Sequence, residues 1–156
     1  RRKEVMEYTL LFLKLLRRQL PQYSAKKEDY QRIEVLLSSL GEDEISSSAD
    51  TFVAEFKDGS VNEYSISPEN YINRYSSIGE LRVNDSRESL TLILKAFDGR
   101  APHAADIISL NAGAALYVAG RVSSIEDGVY LAGHQISSGA AKAKVEELIM
   151  LTNSFK

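Results

Sequence analysis

The most constraining part of the sequence is residues 101–120, APHAADIISLNAGAALYVAG. Pro102 suits the first turn of a helix, where no backbone N–H is needed, and Gly120 can take the left-handed conformation that ends one. The apolar positions that recur between them at helical spacing are Ile107, Leu110, Ala114, Tyr117 and Val118. This pattern predicts one amphipathic helix with a clear beginning and a clear end.

Two residues inside this predicted helix need an explanation from packing. A glycine in a helix interior costs about 1 kcal/mol relative to alanine, so Gly113 predicts the close approach of another backbone. Asn111 is the one polar residue within the inward stripe. We expect it to be a packed, hydrogen-bonded amide, and a ligand contact is the alternative.

Length and composition describe one ordinary globular domain. The chain has 156 residues, of which 44% are hydrophobic and 26% are charged, and this balance is typical of soluble proteins with a single core. The formal net charge of -3 argues against a general nucleic-acid binder, although residues 1–27 are rich in Lys and Arg. Because cysteine is absent, disulfides and thiolate sites are excluded, and we expect a cytoplasmic protein.

Residues 1–40 are expected to form an N-terminal helical segment of unclear origin. Residues 3–20 are strongly apolar and stop at Pro21, and their leucines form either core or the surface for a partner, such as the second copy in a homodimer. The apolar run within them is interrupted by Glu7 and Lys14 and is too short to span a bilayer. A transmembrane helix is therefore not expected, and attachment to a membrane surface is a minor third option beside core and partner surface.

The sequence between this segment and the next motif leaves two alternatives open. Residues 28–36 fit a second helix, and residues 32–37 fit a strand. The chain begins at Arg1 without an initiator methionine. We therefore expect a processed product, a fragment or part of a longer polypeptide.

A β-hairpin is predicted around Asp58 and Gly59, because Asp-Gly between two β-rich runs is a strong turn signal. The flanking strands are residues 51–56 and 61–66. In the register that a two-residue turn gives, Phe56 lies opposite Val61 and Val53 lies opposite Tyr64. Both faces then carry apolar pairs, so we expect both to be covered.

Helical patterns follow the hairpin. Ser67 and Pro68 predict a short helical turn with Ser67 as its cap, and Asp85 with Glu88 predicts a capping box, as does Ser123 with Glu126. The expected apolar stripes are Leu90, Ile93, Leu94 and Phe97 in the first of four helices, Ile125, Val129, Leu131 and Ile136 in the third, and Val145, Leu148, Ile149 and Thr152 in the last. The predicted fold class is therefore α+β and helix-dominated, with a β-hairpin followed by a four-helix C-terminal region.

Few residues of the sequence are candidates for catalysis or metal binding. The acidic run Glu42-Asp43-Glu44 is either a solvated face or a cation site, and its oxygen ligands would suit Mg²⁺. His103 and His134 have no carboxylate or nucleophile at a meaningful spacing, so both are expected to be surface or helix-end histidines. The residues alone therefore define no catalytic group.

Several segments resemble segments of a known family and follow one another in the same order along the chain. Residues 106–153, DIISLNAGAALYVAGRVSSIEDGVYLAGHQISSGAAKAKVEELIMLTN, are similar to the C-terminal end of the anthranilate phosphoribosyltransferases, which carry a comparable Leu-Asn-Ala-Ala-Ala run and Glu-Gly-Val helix. Upstream, GEDEIS at residues 41–46 resembles the family's Gly-Leu-Asp-Glu-Ile-Ser. A hairpin like that of residues 53–70 follows it in the family. The resemblance extends over residues 41–153.

The resemblance implies a specific chemistry. The family transfers a phosphoribosyl group from phosphoribosyl pyrophosphate to anthranilate in tryptophan biosynthesis, and Mg²⁺ neutralises the pyrophosphate. Its Asp-Glu pair helps to hold the metal, and the matching positions are Asp43 and Glu44. A cation held there would stabilise the charge that accumulates on the departing pyrophosphate.

The sequence also departs from the family. The family's phosphate-binding Gly-Thr-Gly-Gly-Asp loop and its Lys-His-Gly-Asn segment are not among these 156 residues. We therefore expect a C-terminal portion of such an enzyme, with residues 41–156 as the phosphoribosyltransferase-like region, in one compact domain with residues 1–40, and without activity on its own. The alternative is a non-catalytic helical interaction module derived from the same scaffold.

Overall fold

The computed structural model describes residues 32–38, 44–57 and 60–155. Its three strands are β1 (Arg32–Ser38), β2 (Thr51–Lys57) and β3 (Ser60–Ile66). Its four helices are α1 (Ser86–Phe97), α2 (Pro102–Val118), α3 (Ile125–Ser137) and α4 (Ala140–Asn153). Two short 3₁₀ turns, Pro68–Asn70 and Gly79–Leu81, lie between the sheet and the helices. This order of elements confirms the predicted α+β, helix-dominated fold class.

The strands form one antiparallel sheet in the order β1, β2, β3. The predicted hairpin register is confirmed, with Phe56 opposite Val61 and Val53 opposite Tyr64. The turn residues Asp58 and Gly59 lie outside the described part of the chain. Since β1 pairs with β2, the open choice for this segment is settled as a strand.

The pairing of β1 with β2 also crosses the predicted division at residue 40. The division itself stays a prediction, as does the homodimer through the leucine-rich segment, because residues 1–31 lie outside the described ranges. Among the residues that the structure does describe, no helix is long and apolar enough to cross a membrane.

The two faces of the hairpin are buried unequally. Thr51, Val53 and Glu55 point to one side of β2 and are buried, whereas Phe52 and Ala54 on the other side are only half-buried. The prediction that both faces are covered is thus confirmed for one face and only partly for the other, where the side chain of Phe56 lies outside the described part of the chain. The buried face packs on the helices.

The hydrophobic core lies between this sheet face and helices α2 and α3. Its buried members are Ile45, Val53, Ile66, Leu110, Ala114, Ile125 and Val129. Leu110 is completely buried, and full burial of such a side chain contributes about 1.5–3 kcal/mol. Two members of the stripe predicted for α2, Leu110 and Ala114, thus form its innermost contacts.

Helices α2 and α3 make the most extensive helix contact of the described fold. A β-carbon added to Gly113 would lie 2.4 Å from the backbone nitrogen of Val129. One added to Gly128 would lie 2.3 Å from the carbonyl oxygen of Gly113. The predicted close approach of a second backbone at Gly113 is confirmed.

The predicted caps of α1 and α3 are present, but in each of them one of the bonded residues is the neighbour of the predicted one. The Asp85 side chain accepts hydrogen bonds from the backbone N–H groups of Arg87 and Glu88, but Glu88 returns to the N–H of Asn84 rather than that of Asp85. Helix α3 is capped by Ser124, which accepts from the N–H of Asp127, and not by the predicted Ser123. Gly120 follows the end of α2 with φ of +66°, as predicted.

Some predicted details are wrong. The Ser67 hydroxyl does not cap the 3₁₀ turn and instead donates to Asp50 at 2.9 Å. In α1 the fully buried residue is Ala96, while Leu90 from the predicted stripe is 41% exposed. In α4 the predicted inward residues Leu148 and Ile149 are 57% and 43% exposed. Helical periodicity identifies an apolar face but does not supply the neighbour that covers it.

Candidate functional site

The candidate site begins where the chain enters β2. Glu44 is exposed, and the next residue, Ile45, is completely buried. Asp43, the other half of the predicted metal-binding pair, lies outside the described residues. The structure therefore places one carboxylate of the pair at the surface, next to an anchored core residue.

Asn111 attaches this segment to the middle of α2. The Ile45 N–H donates to Asn111 Oδ1 at 2.8 Å, and Asn111 Nδ2 donates to the Ile45 carbonyl oxygen at 3.0 Å. The same Nδ2 donates to the Ile107 carbonyl oxygen at 3.0 Å, one turn back in the helix. The expectation of a packed, hydrogen-bonded amide at Asn111 is confirmed.

A second attachment lies at the beginning of α2. The Ser47 hydroxyl is 2.7 Å from His103 Nε2, and the Tyr75 N–H donates to the Ser47 carbonyl oxygen at 3.1 Å. Within the segment itself, the Ser46 N–H donates to the Thr51 hydroxyl at 3.0 Å. Ser46 and Ser47 are both completely buried. Residues 44–50 are therefore fixed to the helix at two separate points.

His103 lies in the first turn of α2, which confirms the helix-end alternative of the prediction, but its side chain is buried. Its side chain is 3% exposed and stacks on Tyr75, with ring centroids 3.6 Å apart and an interplanar angle of 6°. Nδ1 is buried without a hydrogen-bond partner, and the nearest carboxylate oxygen, from Glu80, is 3.8 Å away. Burial lowers the pKa of His103, and the charges of Glu80 and Asp106 oppose that shift.

A signal for this burial was present in the sequence. The residues at helical spacing in α2 are His103, Ile107, Leu110, Ala114 and Tyr117. The predicted stripe therefore extends backward to the histidine. His134, in the last turn of α3, is exposed as expected.

Tyr75 connects the histidine to Asp106. Its hydroxyl donates to Asp106 Oδ2 at 2.8 Å, and Asn73 Nδ2 donates to the same oxygen at 3.1 Å. Burial, together with the hydrogen bond to Asp106 and its charge, raises the pKa of Tyr75 to about 12. Tyr75 is therefore a proton donor in this hydrogen bond at any physiological pH.

A groove of about 820 Å³ lies beside this network, between α2, α3 and the residues after the first 3₁₀ turn. Its lining residues include Tyr71, Asp106, Ser109, Val129, Tyr130 and His134. Glu44 does not line it. The groove and Glu44 are thus separate features of the described surface.

A further polar group lies under the sheet and was missed from the sequence. Glu55 is 6% exposed, and its carboxylate accepts hydrogen bonds from the hydroxyls of Tyr117 at 3.0 Å and Tyr64 at 3.4 Å. The strand alternation that buries Val53 also predicts burial two residues later. Glu55 could therefore have been identified as an inward carboxylate.

The donor chemistry at Glu44 fits Mg²⁺. Mg²⁺ is usually bound by one or two carboxylates, and its remaining ligands are water and substrate phosphates. Within residues 32–38, 44–57 and 60–155, no group of three or more His, Cys, Asp or Glu side chains is arranged to hold a metal ion. A site that water and substrate phosphates complete needs only one or two carboxylates, and Glu44 supplies one that is exposed.

The model of the glycosyl transferase family, a/b domain, matches residues 21–142. The chain belongs to this family.

Several relatives of the chain are anthranilate phosphoribosyltransferases. The chain is 48% identical over 116 residues to anthranilate phosphoribosyltransferase 1 of Ralstonia nicotianae, covering 74% of this chain and 34% of the relative. It is 44% identical over 126 residues to the enzyme of Burkholderia ambifaria, covering 81% and 37%. The chain therefore spans about a third of the length of the relatives that it matches.

Solved structures of anthranilate phosphoribosyltransferases also match this chain. The anthranilate phosphoribosyltransferase of Thermus thermophilus matches with a TM-score of 0.64 at 29% identity, over 74% of this chain and 34% of that one. The enzyme of Saccharomyces cerevisiae in complex with PRPP and Mg matches with a TM-score of 0.67 at 16% identity, over 78% and 35%. At that identity the yeast structure supports the fold alone.

Proposed function

We propose that the chain is the C-terminal portion of an anthranilate phosphoribosyltransferase, which transfers a phosphoribosyl group from phosphoribosyl pyrophosphate to anthranilate in tryptophan biosynthesis. The observation that carries this proposal is the acidic segment. In sequence it resembles the family's Asp-Glu pair, and its last residue, Glu44, directly precedes Ile45, which is hydrogen-bonded to Asn111 of α2. The lack of cysteine suits the reducing cytoplasm, where we place the reaction.

In this proposal Asp43 and Glu44 would hold the Mg²⁺ that accompanies the substrate's pyrophosphate. The ion would supply positive charge where negative charge accumulates as the pyrophosphate departs. Glu44 contributes an exposed carboxylate, while the burial of Ile45, Ser46 and Ser47 keeps its backbone in place. No other residue of the described chain is assigned to the chemistry.

The decisive variant is Asp43→Ala with Glu44→Ala, made in an intact enzyme that contains this segment. It should raise the Mg²⁺ concentration needed for half-maximal activity and lower kcat, while anthranilate affinity changes little. Glu42→Ala is the matched control, because it removes a neighbouring charge at a position where the family has leucine. Equal loss of anthranilate binding would indicate a folding defect and reject the assignment.

We further propose that the isolated 156-residue chain has no phosphoribosyl-transfer activity. Support comes from its coverage of about a third of its relatives, and from the two substrate-binding motifs that its sequence does not contain. The test is a sensitive assay of the purified chain with Mg²⁺ and both substrates. Turnover above the buffer rate would contradict this part of the proposal.

An interaction module is the second candidate, and the exposed apolar side chains near the C-terminus favour it. Leu148, Met150 and Leu151 of α4 are 57%, 66% and 56% exposed, and Phe155 is 80% exposed. Such a face is typical of a surface that contacts another polypeptide. Light scattering of the purified chain tests this candidate, since a monomer at every concentration would remove self-association as its basis.

A further inference from the structure

We propose that Asn111 is a positioning residue for the Glu44 carboxylate, acting through the backbone of Ile45. This inference rests on the proposed metal role of Glu44 and assigns Asn111 no contact with metal or substrate. It assigns a task to the half-buried amide of Asn111 in the middle of α2.

The geometry of the contact makes it a clamp. Asn111 Oδ1 accepts from the Ile45 N–H at 2.8 Å and Nδ2 donates to the Ile45 carbonyl oxygen at 3.0 Å, so one amide group pairs with both polar backbone groups of one residue. Two bonds of this kind fix orientation as well as distance. The third bond, to the carbonyl oxygen of Ile107, holds the amide itself in one rotamer on the helix.

The peptide bond carries this orientation to Glu44. The Ile45 N–H belongs to the peptide unit that joins Glu44 to Ile45, and such units are planar. Because burial holds the Ile45 α-carbon and Asn111 holds the direction of the Ile45 N–H, the plane that contains the Glu44 carbonyl group and α-carbon is fixed too. The position of the carboxylate then depends on rotation about the Glu44 Cα–C bond and on the rotations of its side chain.

The residue that Asn111 holds, Ile45, is buried, whereas the adjacent Glu44 is accessible. Ile45 is completely buried in the cluster that contains Leu110 and Ala114, which are neighbours of Asn111 on α2. Glu44 is exposed. The carboxylate is thus placed at the surface by a backbone that the core and Asn111 hold together.

Positioning of this kind has a measurable effect on a metal site. Residues that orient a metal ligand without touching the metal typically change metal affinity about 10–100-fold when they are removed. A flexible Glu44 would have to be ordered when the cation binds, at a cost in conformational entropy. Loss of Asn111 should therefore weaken cation binding more than it perturbs the fold.

The test uses the full 156-residue chain with Mn²⁺ as a probe, because Mn²⁺ also prefers carboxylate ligands and broadens the NMR signals of nearby amides. Asn111→Ala opens space for water, whereas Asn111→Leu fills the volume of the amide, so the two variants disturb packing in opposite ways. Ser109→Ala is the control, since its hydroxyl bonds only within α2, to the Ala105 carbonyl oxygen. Hydrogen exchange at the Ile45 amide is measured without metal.

The expected result is exchange at the Ile45 amide about tenfold faster or more in the folded Asn111 variants, and Mn²⁺ affinity at Glu44 weakened about tenfold. Ser109→Ala should change neither quantity. Unchanged Mn²⁺ affinity in a folded Asn111 variant would overturn the inference. Unprotected exchange at Ile45 in the unsubstituted chain would overturn it as well, even if neither variant folds.

Failure of the proposed function gives a different result. If the unsubstituted chain does not bind Mn²⁺ at Glu44, the metal assignment fails, and with it the positioning role, whatever the variants do. If the unsubstituted chain binds Mn²⁺ and the Asn111 variants bind it equally well, the metal assignment stands and only the role of Asn111 is rejected.

Discussion

Gly113 and Gly128 face each other so closely that a β-carbon on Gly128 would lie 2.3 Å from the Gly113 carbonyl oxygen. Real β-carbons do not approach backbone oxygens to that distance, so neither residue can be replaced without moving a helix. Helices α2 and α3 both contribute to the core. The helix that holds Asn111 is therefore placed by this glycine pair.

The first prediction follows from that contact. Gly113→Ala and Gly128→Ala should each lower the free energy of unfolding by about 2–3 kcal/mol, because overpacking forces the helices apart. Gly133→Ala is the control: its β-carbon would have as its nearest neighbour the Ser109 hydroxyl, at 3.8 Å. Since alanine favours a helix, the control should be neutral or stabilise by up to about 1 kcal/mol. Urea unfolding measures all three, and similar effects at every position would contradict the packing argument.

The second prediction concerns pH. Burial lowers the pKa of His103 in the folded chain, whereas in the unfolded chain a histidine titrates near 6.5. The unfolded state thus binds more protons as the pH falls, so stability is fully present above pH ~6.5 and declines below it. The nearby charges of Glu80 and Asp106, and the Tyr75 hydroxyl, belong to the same environment.

The variant His103→Gln should therefore show a weaker loss of stability between pH ~7 and ~5 than the unsubstituted chain does. His134→Gln, at an exposed position, should retain the loss. Urea unfolding at a series of pH values measures the difference. If His103→Gln loses as much stability as the unsubstituted chain between these pH values, the pH dependence belongs to other groups.

The third prediction compares two tyrosines that donate to one buried carboxylate. Tyr117→Phe removes the hydroxyl that lies 3.0 Å from Glu55, and Tyr64→Phe removes the one at 3.4 Å. Hydrogen bonds to charged groups contribute about 1.5–3 kcal/mol, so Tyr117→Phe should destabilise by about that amount and Tyr64→Phe by less. Thermal and urea unfolding would show the order, and the reverse order would contradict it.

The fourth prediction concerns the beginning of α1. Asp85 accepts from the backbone N–H groups of Arg87 and Glu88 at 2.9 and 2.8 Å, so Asp85→Ala should cost about 1 kcal/mol. Asp85→Asn keeps an acceptor and loses only the charge near the helix N-terminus, which should cost about 0.3–1 kcal/mol. Equal losses in the two variants would show that charge, and not the hydrogen bonds, matters most there.

Features with local causes could be predicted from the sequence. The hairpin register, the Asp85 cap and the left-handed Gly120 each depend on a few consecutive residues. The same is true of α2, whose proline and glycine mark both ends. Even the close contact at Gly113 could be inferred, because a glycine in a helix interior has a cost that some packing must justify.

Features that depend on contacts between distant parts of the chain could not be predicted from the sequence. His103 is buried because Ser47 and Tyr75 pack on it, and no local pattern identifies those two partners. Leu148 and Ile149 form an apolar stripe on α4 whether or not another element covers it. At the candidate site, the acidic motif was found from the sequence, but its attachment to Asn111 needed the structure.

Asn111 and Ile45 are 66 residues apart in the chain. Joining two ends over that length costs about 4 kcal/mol of loop-closure entropy in a flexible chain, as (3/2)RT ln n, which is more than the ~0.5–1.5 kcal/mol of a typical hydrogen bond. The hydrogen bonds of the pair therefore form together with the burial of Ile45, which belongs to the same core as Val53 and Leu110. Order at Ile45 thus reports whether residues far apart in the chain have come together as one domain.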